Sequence, residues 1–269
     1  MTPTTVTQAA RFRDLHEGAV LVLPNAWDAA SAALIEAAGA QAIATTSAGV
    51  SWANGAPDAE GLGRERMVAA VSAIVAAVTV PVTADIEGGY GDVAATVRAV
   101  IEAGAVGVNL EDSPGLDGAP LLSPADQARR IAGARAAADA AGVELFVNAR
   151  TDVYLAGAPG DRLAEVEERA RVYAEAGADG LFVPGLLDLE AIARLAGGPL
   201  PLNVMAGPGA PPVERLAAAG VARVSVGSAI AQAAYACAAR AAAELLDGGT
   251  YATLADGLDY GGLNALLRR

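Results

Sequence analysis

The segment EAGAVGVNL, residues 102–110, shows how this chain is built. Its first residues are typical of a helix end, Gly104 of the left-handed cap that often follows a helix, and the apolar run after it of a buried strand. The same junction recurs as EAAGAQAI at 36–43, EAGADGLFV at 175–183 and AAGVARVSV at 218–226, with a looser copy, AAGVELFV, at 140–147. A repeated helix-to-strand junction predicts βα units and a parallel sheet.

Eight apolar runs along the chain are candidate strands, and the segments between them have mostly helical patterns. In the segment 92–103, for example, Asp92 precedes apolar residues at helical spacing, which predicts a capped helix. Eight βα units in a chain of 269 residues predict an α/β fold, a (β/α)8 TIM-type barrel that spans residues 1–269 as a single domain. A doubly wound open sheet is the alternative. The eight runs lie near 19–23, 42–46, 80–86, 106–111, 144–150, 180–184, 200–205 and 221–227.

The overall charge excludes some classes of partner. The chain has 31 acidic and 18 basic residues, a formal net charge of −13, whereas nucleic acids and anionic membranes attract basic surfaces. The first residues, MTPTTVTQAARFRDL, lack the basic and apolar regions of a secretory signal, and a single cysteine allows no internal disulfide. We therefore expect a soluble, cytoplasmic protein with no nucleic-acid or membrane partner.

Polar side chains occur where four of the predicted strands end. Because side chains alternate along a strand, Asp85 and Glu87 share one face, as do Asn109 and Glu111. Asn148 and Arg150 share a face of the next strand, and Asn203 has an equivalent place near 200–205. In a (β/α)8 barrel these ends form the top of the barrel, where active sites lie.

Three of these residues, Asp85, Glu87 and Glu111, would repel one another unless a cation lies among them or some are protonated. Oxygen ligands without a nearby histidine or cysteine favour Mg²⁺ or Mn²⁺. Arg150 could then bind a substrate carboxylate through its planar guanidinium. Each acid alone could be a solvated strand end or a helix cap, and Asn203 could be a core amide; the coincidence on several strand ends favours a site.

Other polar residues have simpler interpretations. Asp112 and Asp152 are expected to act as caps or as partners behind the site. His16, the only histidine, lies in a polar segment and is expected at the surface, whereas Cys237 lies in a helix of small residues and is expected to pack in the core. With no other histidine, a Ser–His–Asp or Cys–His mechanism is difficult to build.

Four motifs together resemble the isocitrate lyase/phosphoenolpyruvate mutase superfamily. They are LPNAWDAASAALIEAAGAQAIATTSAGVS at 23–51, VTADIEGGYG at 82–91, GVNLEDS at 107–113 and VNARTDVYL at 147–155. The resemblance implies a (β/α)8 barrel whose last helix is exchanged between subunits, so that the helices of about 229–269 form contacts in a homodimer or homotetramer. It also implies Mg²⁺ and reactions of small 2-oxo or 2-hydroxy acids through enolate-like intermediates.

The resemblance assigns roles to individual residues. Asp85 matches the acid closest to the metal, Glu87 stands where many members have an aspartate and would act through water, and Glu111 matches the glutamate of the Glu-Asp pair. Arg150 matches the carboxylate-binding arginine. For substrate contact, the matching residues are Thr46, Ser47 and Ala48 by hydroxyl and backbone N–H groups, Asp58 near the reacting group, and Asn203.

The chain departs from the superfamily pattern in two places. The segment SPGLDGAPLLSP, 113–124, lacks the cysteine, lysine and histidine of the lyase loop, and the mutase version of the loop is also missing. Gly185 stands where the lyases have a glutamate. We therefore expect isocitrate and 2-methylisocitrate to be poor substrates.

These observations predict a Mg²⁺-dependent carbon–carbon lyase that acts on a small 2-oxo carboxylate or dicarboxylate through a metal-stabilised enolate, with Asp58 in proton transfer. One alternative is an oxaloacetate or phosphonopyruvate hydrolase, or a phosphoenolpyruvate mutase-like activity. Another is a 2-oxo acid binding protein without catalysis.

Overall fold

Parallel strands form a nearly closed barrel in the computed structural model, which describes residues 3–114, 120–156 and 160–268. Around the barrel the strand order is β1-β9-β8-β7-β6-β5-β4-β3-β2, and every pair is parallel. The predicted (β/α)8 TIM-type barrel is therefore confirmed. The strands are β1 Leu21–Leu23, β2 Asn25–Ala26, β3 Ile43–Thr45, β4 Val82–Asp85, β5 Gly107–Glu111, β6 Phe146–Arg150, β7 Gly180–Val183, β8 Leu202–Met205 and β9 Arg223–Ser225.

The first barrel strand is divided in two, which the sequence did not predict. Pro24 separates β1 from β2, and proline has no backbone N–H to continue the ladder. Leu21 of β1 pairs with Arg223, whereas Asn25 of β2 pairs with Ala44 on the other side. Because β1 and β2 adjoin in the chain, they bring the two ends of the sheet together, and the open-sheet alternative is wrong.

The described helices are α1 Pro3–Asp14, α2 Ala29–Ala37, α3 Ser47–Ala53, α4 Arg64–Ala77, α5 Val93–Glu102, α6 Pro124–Ala140, α7 Arg162–Glu175, α8 Leu189–Ala196, α9 Val213–Ala218, α10 Ala229–Gly248 and α11 Tyr260–Leu266, with a 3₁₀ turn at Ala252–Leu254. The glycines of the repeated junction all have positive φ, for example +97° at Gly104 and +96° at Gly177. Asp92 caps α5 by accepting a 2.9 Å hydrogen bond from the Ala95 N–H. Both local predictions are confirmed.

Helix α1 covers the N-terminal end of the barrel. Its Phe12 is fully buried, and the His16 ring just beyond it stacks on Phe146, with centroids 4.0 Å apart. His16 Nδ1 lies 2.8 Å from the Phe12 carbonyl oxygen. His16 is therefore half-buried rather than fully at the surface as expected, because α1 folds back against the start of β6.

The C-terminal helices leave much of their apolar surface exposed. In α10 the one buried residue is Ala231, and Leu246, Tyr251, Leu258 and Tyr260 are among the most exposed large apolar side chains of the described chain. Cys237 is also exposed, so its predicted core position is wrong. Within the described residues, no helix combines the length and apolar character that crossing a membrane requires.

Candidate active site

The predicted acids and the arginine lie at the C-terminal ends of neighbouring strands. Asp85 ends β4, Glu111 ends β5 and Arg150 ends β6. In the register, Asp85 is opposite Asn109, and Glu111 is opposite Arg150. The barrel therefore brings three residues that are far apart in the sequence to one rim.

Asp85 is held at the centre of this rim. Its backbone N–H donates a 2.8 Å hydrogen bond to Thr45 Oγ1, and its carboxylate accepts from the N–H groups of Glu87, at 3.2 Å, and Ser47. Burial raises the pKa of Asp85, the Arg150 guanidinium opposes this, and Asp58 raises it further. The carboxylate is thus fixed in position and lacks full charge compensation.

Glu87 lies beyond the strand rather than in its extension. Strand β4 ends at Asp85, and Glu87 has a left-handed backbone with φ +50°. Its carboxylate accepts hydrogen bonds from the Glu60 N–H and, at 3.1 Å, from the Tyr90 hydroxyl. Burial, followed by the charges of Asp85 and Asp58, raises the pKa of Glu87 to about 7. Glu87 lies near Asp85, as strand alternation predicts. A turn brings it there, and not the continued strand on which that prediction was based.

Glu111 and Asp152 hold Arg150 between them. Arg150 Nη1 lies 2.8 Å from Glu111 Oε2, and Nε and Nη2 donate to the two Asp152 oxygens at 2.7 and 2.9 Å. Burial lowers the pKa of Arg150, but Glu111 and Asp152 outweigh it and raise the pKa, so the side chain stays charged. Burial raises the pKa of Glu111 to about 8, although Arg150 opposes the shift. Asp152 therefore acts as a partner behind the site, as expected.

Two residues that the sequence did not single out support the Gly-Gly-Tyr-Gly turn at 88–91. Glu60 Oε1 accepts a 2.7 Å hydrogen bond from the Tyr90 N–H. Arg130 of α6 donates to the carbonyl oxygens of Gly88 and, at 3.1 Å, of Glu111. No local motif marks either residue, since both act across long sequence separations.

The predicted substrate-binding segment after β3 reaches the same rim. Thr46 caps α3, with its Oγ1 3.5 Å from the Gly49 nitrogen, and Ser47 and Ala48 are buried beside it. Asp58 is exposed in the connection between α3 and α4, and its charge acts on Asp85 and Glu87. Ser47 and Asp58 therefore lie near the acids, and the substrate-binding and catalytic roles of the four residues stay predictions.

Asn203 occupies a different position, inside the barrel. Its Oδ1 accepts a 3.0 Å hydrogen bond from Asn148 Nδ2, and Asn148 also donates to Asn109 Oδ1 at 2.8 Å. Asn203 Nδ2 donates to the Val204 carbonyl oxygen at 2.9 Å. Such contacts favour the interpretation of Asn203 as a core amide over its predicted role in substrate binding.

Arg223 is a buried cation that the sequence reasoning missed. It is 1% exposed and is the largest of the fully buried side chains in the described chain. Its Nη2 lies 3.4 Å from Asn109 Oδ1 on the far side of the barrel. The sequence feature that could have identified it is a charged residue at an inward-facing position of the apolar run AAGVARVSV.

The donor chemistry of the rim fits Mg²⁺. Among the described residues, no three histidine, cysteine, aspartate or glutamate side chains are arranged as a ready metal-binding group, and Glu111 is paired with Arg150. Mg²⁺, however, keeps several waters and needs only one or two direct carboxylates. Burial raises the pKa values of Asp85, Glu87 and Glu111, and the charges of neighbouring acids add to the shift; a divalent cation at the rim would oppose both effects.

Two segments of the chain bear on specificity. Of the loop 113–124, residues 115–119 lie outside the described residues; at its base the Leu122 N–H donates a 2.9 Å hydrogen bond to the Asp112 carbonyl oxygen. Gly185 has φ +84°, and a Cβ there would lie 3.0 Å from Leu155 Cδ2. A glutamate would strain this backbone, which gives a structural reason for the glycine.

Sequence comparison identifies relatives over most of the chain. The sequence model of the phosphoenolpyruvate phosphomutase family matches residues 12–246. An uncharacterised protein of Mycobacterium tuberculosis H37Rv is 40% identical over 240 residues, 88% of this chain and 89% of that one. The 2-methylisocitrate lyase of Bacillus subtilis 168 is 30% identical over 208 residues, 74% of this chain and 66% of the lyase.

Solved structures agree with the sequence matches. A Burkholderia cenocepacia J2315 protein, provisionally described as a lyase/mutase, has a TM-score of 0.92 and 37% identity, covering 100% of this chain and 98% of that one. Oxaloacetate acetylhydrolase in complex with its product oxalate has a TM-score of 0.87 and 26% identity, with 97% and 94% coverage. The chain thus belongs to the phosphoenolpyruvate phosphomutase family, within the isocitrate lyase/phosphoenolpyruvate mutase superfamily of enzymes.

Proposed function

We propose that this protein is a Mg²⁺-dependent carbon–carbon lyase that acts on a small 2-oxo carboxylate or dicarboxylate. The observation that carries the proposal is the rim formed by Asp85, Glu111 and Arg150, in which the buried Asp85 has no ion-pair partner among the described residues and lies near a guanidinium that Glu111 holds in place. Asp85 would hold the metal directly, and Glu87 and Glu111 directly or through water. Bound Mg²⁺, or Mn²⁺ in its place, would polarise the 2-oxo group and stabilise the negative charge that develops on its oxygen.

Arg150 would bind a substrate carboxylate. A guanidinium has five N–H donors, and the contacts to Glu111 and Asp152 use three of them. Because Asp152 fixes the plane of the guanidinium, the donors on its free edge are already oriented for a carboxylate. Backbone and hydroxyl groups of Thr46, Ser47 and Ala48 would bind the other end of the substrate.

Asp58 would supply the proton that the cleavage reaction requires. Cleavage next to a carbonyl leaves an electron pair on carbon, and that carbon must then receive a proton. Asp58 is exposed at the rim, and its charge acts on Asp85 and Glu87. It could deliver the proton itself or orient a water that does.

A second candidate is hydrolysis of oxaloacetate. The similarity to oxaloacetate acetylhydrolase over 97% of this chain favours it, as does the absence of a cysteine from the loop 113–124. Water would add a hydroxyl group to carbon 2 and a proton to carbon 3 as the bond between them breaks, giving oxalate and acetate. Asp58 would activate this water.

Turnover with a panel of oxaloacetate, 2-oxoglutarate, phosphonopyruvate and phosphoenolpyruvate, followed by NMR with Mg²⁺ or with EDTA, tests the proposal. We expect Mg²⁺-dependent products from a 2-oxo acid; oxalate and acetate would identify the hydrolase, and a rearranged phosphonate the mutase. Ligand-dependent thermal shifts without any product would instead support a binding protein.

Asp85→Ala should abolish this activity because it removes the direct metal ligand, and the protein should still fold because the substitution also relieves repulsion with Glu87. Asp139→Ala, which removes an exposed acid of α6, is the matched control and should keep full activity. Calorimetry of oxaloacetate binding should show a requirement for Mg²⁺ and strong weakening in Arg150→Ala. Equal affinity in EDTA, or no loss in Arg150→Ala, would contradict the proposed pocket.

A further inference from the structure

Arg223 enters the barrel without a matching counterion. Its side chain is 1% exposed, and among the described residues no carboxylate lies within ion-pair distance of it. Its Nε and Nη1 have no hydrogen-bond partner in the described chain, and the Nη2 contact with Asn109 is long, at 3.4 Å. A buried cation in this situation costs much free energy unless another charge compensates it.

Asp85 is the acid placed to provide that compensation. Asn109, which Arg223 contacts, is the register partner of Asp85 on the neighbouring strand. Burial lowers the pKa of Arg223 to about 9, and Asp85 opposes this shift. Charges in a low-dielectric interior interact over longer distances than they do in water, so the two need not touch.

We propose that Arg223 is a positioning residue: it supplies a fixed positive charge inside the barrel, beside the register partner of Asp85, and so favours anion binding over cation binding at the rim. This proposal rests on the proposed function for its metal and its 2-oxo acid ligand. The buried charge would weaken the binding of Mg²⁺ alone and strengthen the binding of an anionic ligand. A purely structural role would affect both ligands in the same direction.

Two titrations of the whole protein test the opposite effects. Calorimetry would measure Mg²⁺ alone, and then oxalate at saturating Mg²⁺, for the wild type, Arg223→Met and the control variant Arg98→Met. For Arg223→Met we expect tighter Mg²⁺ binding and weaker oxalate binding, each by about tenfold. Arg98→Met removes an exposed cation of α5, far along the chain from Arg223, and should stay near the wild type. Weaker binding of both Mg²⁺ and oxalate, or an unchanged affinity for both, overturns the proposal.

A ligand-free measurement separates this proposal from the proposed function. Urea unfolding in EDTA would compare Arg223→Met, Asp85→Asn and the double variant. We expect Arg223→Met to lower the unfolding midpoint in the wild type but to raise it in the Asp85→Asn background, where the cation has no acid to balance. Additive midpoint shifts would overturn the coupling. If the wild type binds neither Mg²⁺ nor oxalate, the proposed function fails and this cycle alone decides the role of Arg223.

Arg223→Gln is a second neutral variant, which keeps the proposal testable if Arg223→Met does not fold. Glutamine is neutral and can still donate a hydrogen bond to Asn109 Oδ1. The same measurements on Arg223→Gln should follow the pattern expected for Arg223→Met. Wild-type-like behaviour of this variant would show that the charge has no role.

Discussion

Arg169 donates a 2.9 Å hydrogen bond from Nη1 to Asp112 Oδ2, and both side chains are buried behind the active-site rim. Tyr173 also donates to Asp112 Oδ2, at 2.8 Å, while Asp112 Oδ1 accepts from the Asp152 N–H at 3.0 Å. Asp152 in turn fixes Arg150. A continuous set of contacts therefore links helix α7 to the arginine proposed to bind substrate.

Removing Arg169 should destabilise the protein strongly. Arg169→Ala would leave Asp112 buried without its cation, a situation that typically costs about 3–5 kcal/mol. Arg171→Ala on the same helix is the control, because Arg171 pairs with Glu168 and Glu175 at the surface and should change stability little. Urea unfolding measures both. Equal effects of the two substitutions would show that the buried pair has no special weight.

His16 should make stability depend on pH. Burial, followed by the charge of Arg223, lowers the pKa of His16 to about 4, while Asp179 raises it and Arg13 lowers it. The unfolded chain binds the proton with a pKa near 6.5, so the contribution of His16 is complete above about pH 6.5 and is lost as the pH falls towards 4. The full loss is at most about 3 kcal/mol.

His16→Phe isolates this contribution because the chain has no other histidine. The variant keeps an aromatic ring against Phe12 and Phe146 but cannot titrate. Unfolding free energies at pH 7.5 and pH 4.5 should therefore fall less in His16→Phe than in the wild type. An identical pH dependence in the two proteins would refute the burial of a neutral imidazole.

Gly185 should not tolerate the glutamate that the lyases carry. Gly185→Glu places a side chain on a backbone with φ +84° and should cost about 1–3 kcal/mol in stability. Gly133→Ala is the control, since Gly133 lies within α6 with open space around its Cα and the alanine should stabilise the helix by up to about 1 kcal/mol. Thermal denaturation compares the two, and a stable Gly185→Glu protein would contradict the strain argument.

Isocitrate and 2-methylisocitrate should be poor substrates. The loop 113–124 has no cysteine to act as a general acid–base, a loss that typically lowers rates by about 10²–10⁴. Steady-state kinetics with Mg²⁺ would test both compounds beside oxaloacetate. A kcat/KM of roughly 10⁴ M⁻¹s⁻¹ or more for either one would be that of a dedicated enzyme and would show the prediction to be wrong.

The exposed apolar surface of the C-terminal helices should be buried between subunits. Contiguous exposed apolar surface commonly marks an interface, and Leu246 and Tyr260 are 83% and 84% exposed in the single chain. We expect light scattering to show a dimer or a tetramer at micromolar concentration. Leu246→Glu combined with Tyr260→Glu should shift the protein towards monomer, whereas Arg98→Glu on the exposed face of α5, outside the C-terminal helices, serves as a control for added charge. A monomeric wild type would contradict the prediction.

Most of the site could be predicted because the relevant patterns are local. Asp85, Glu111 and Arg150 each follow a recognisable apolar run, and in a parallel barrel all strand ends of one kind meet at one rim. The partners of these residues were harder to predict. Glu60 and Arg130 reach the Gly-Gly-Tyr-Gly turn from segments 30 and 42 residues away, a separation that no local pattern encodes.

The sequence by itself determined the helix-to-strand junctions, the barrel and the residue types at its rim, because glycine caps and strand alternation depend on near neighbours in the chain. Only the tertiary structure decided that Pro24 divides the first strand, that His16 lies under Phe146, and that Arg223 reaches Asn109 across the barrel, 114 residues away. Such contacts depend on how the strands are staggered when the sheet closes. That stagger comes from the packing of the whole barrel and not from any one segment.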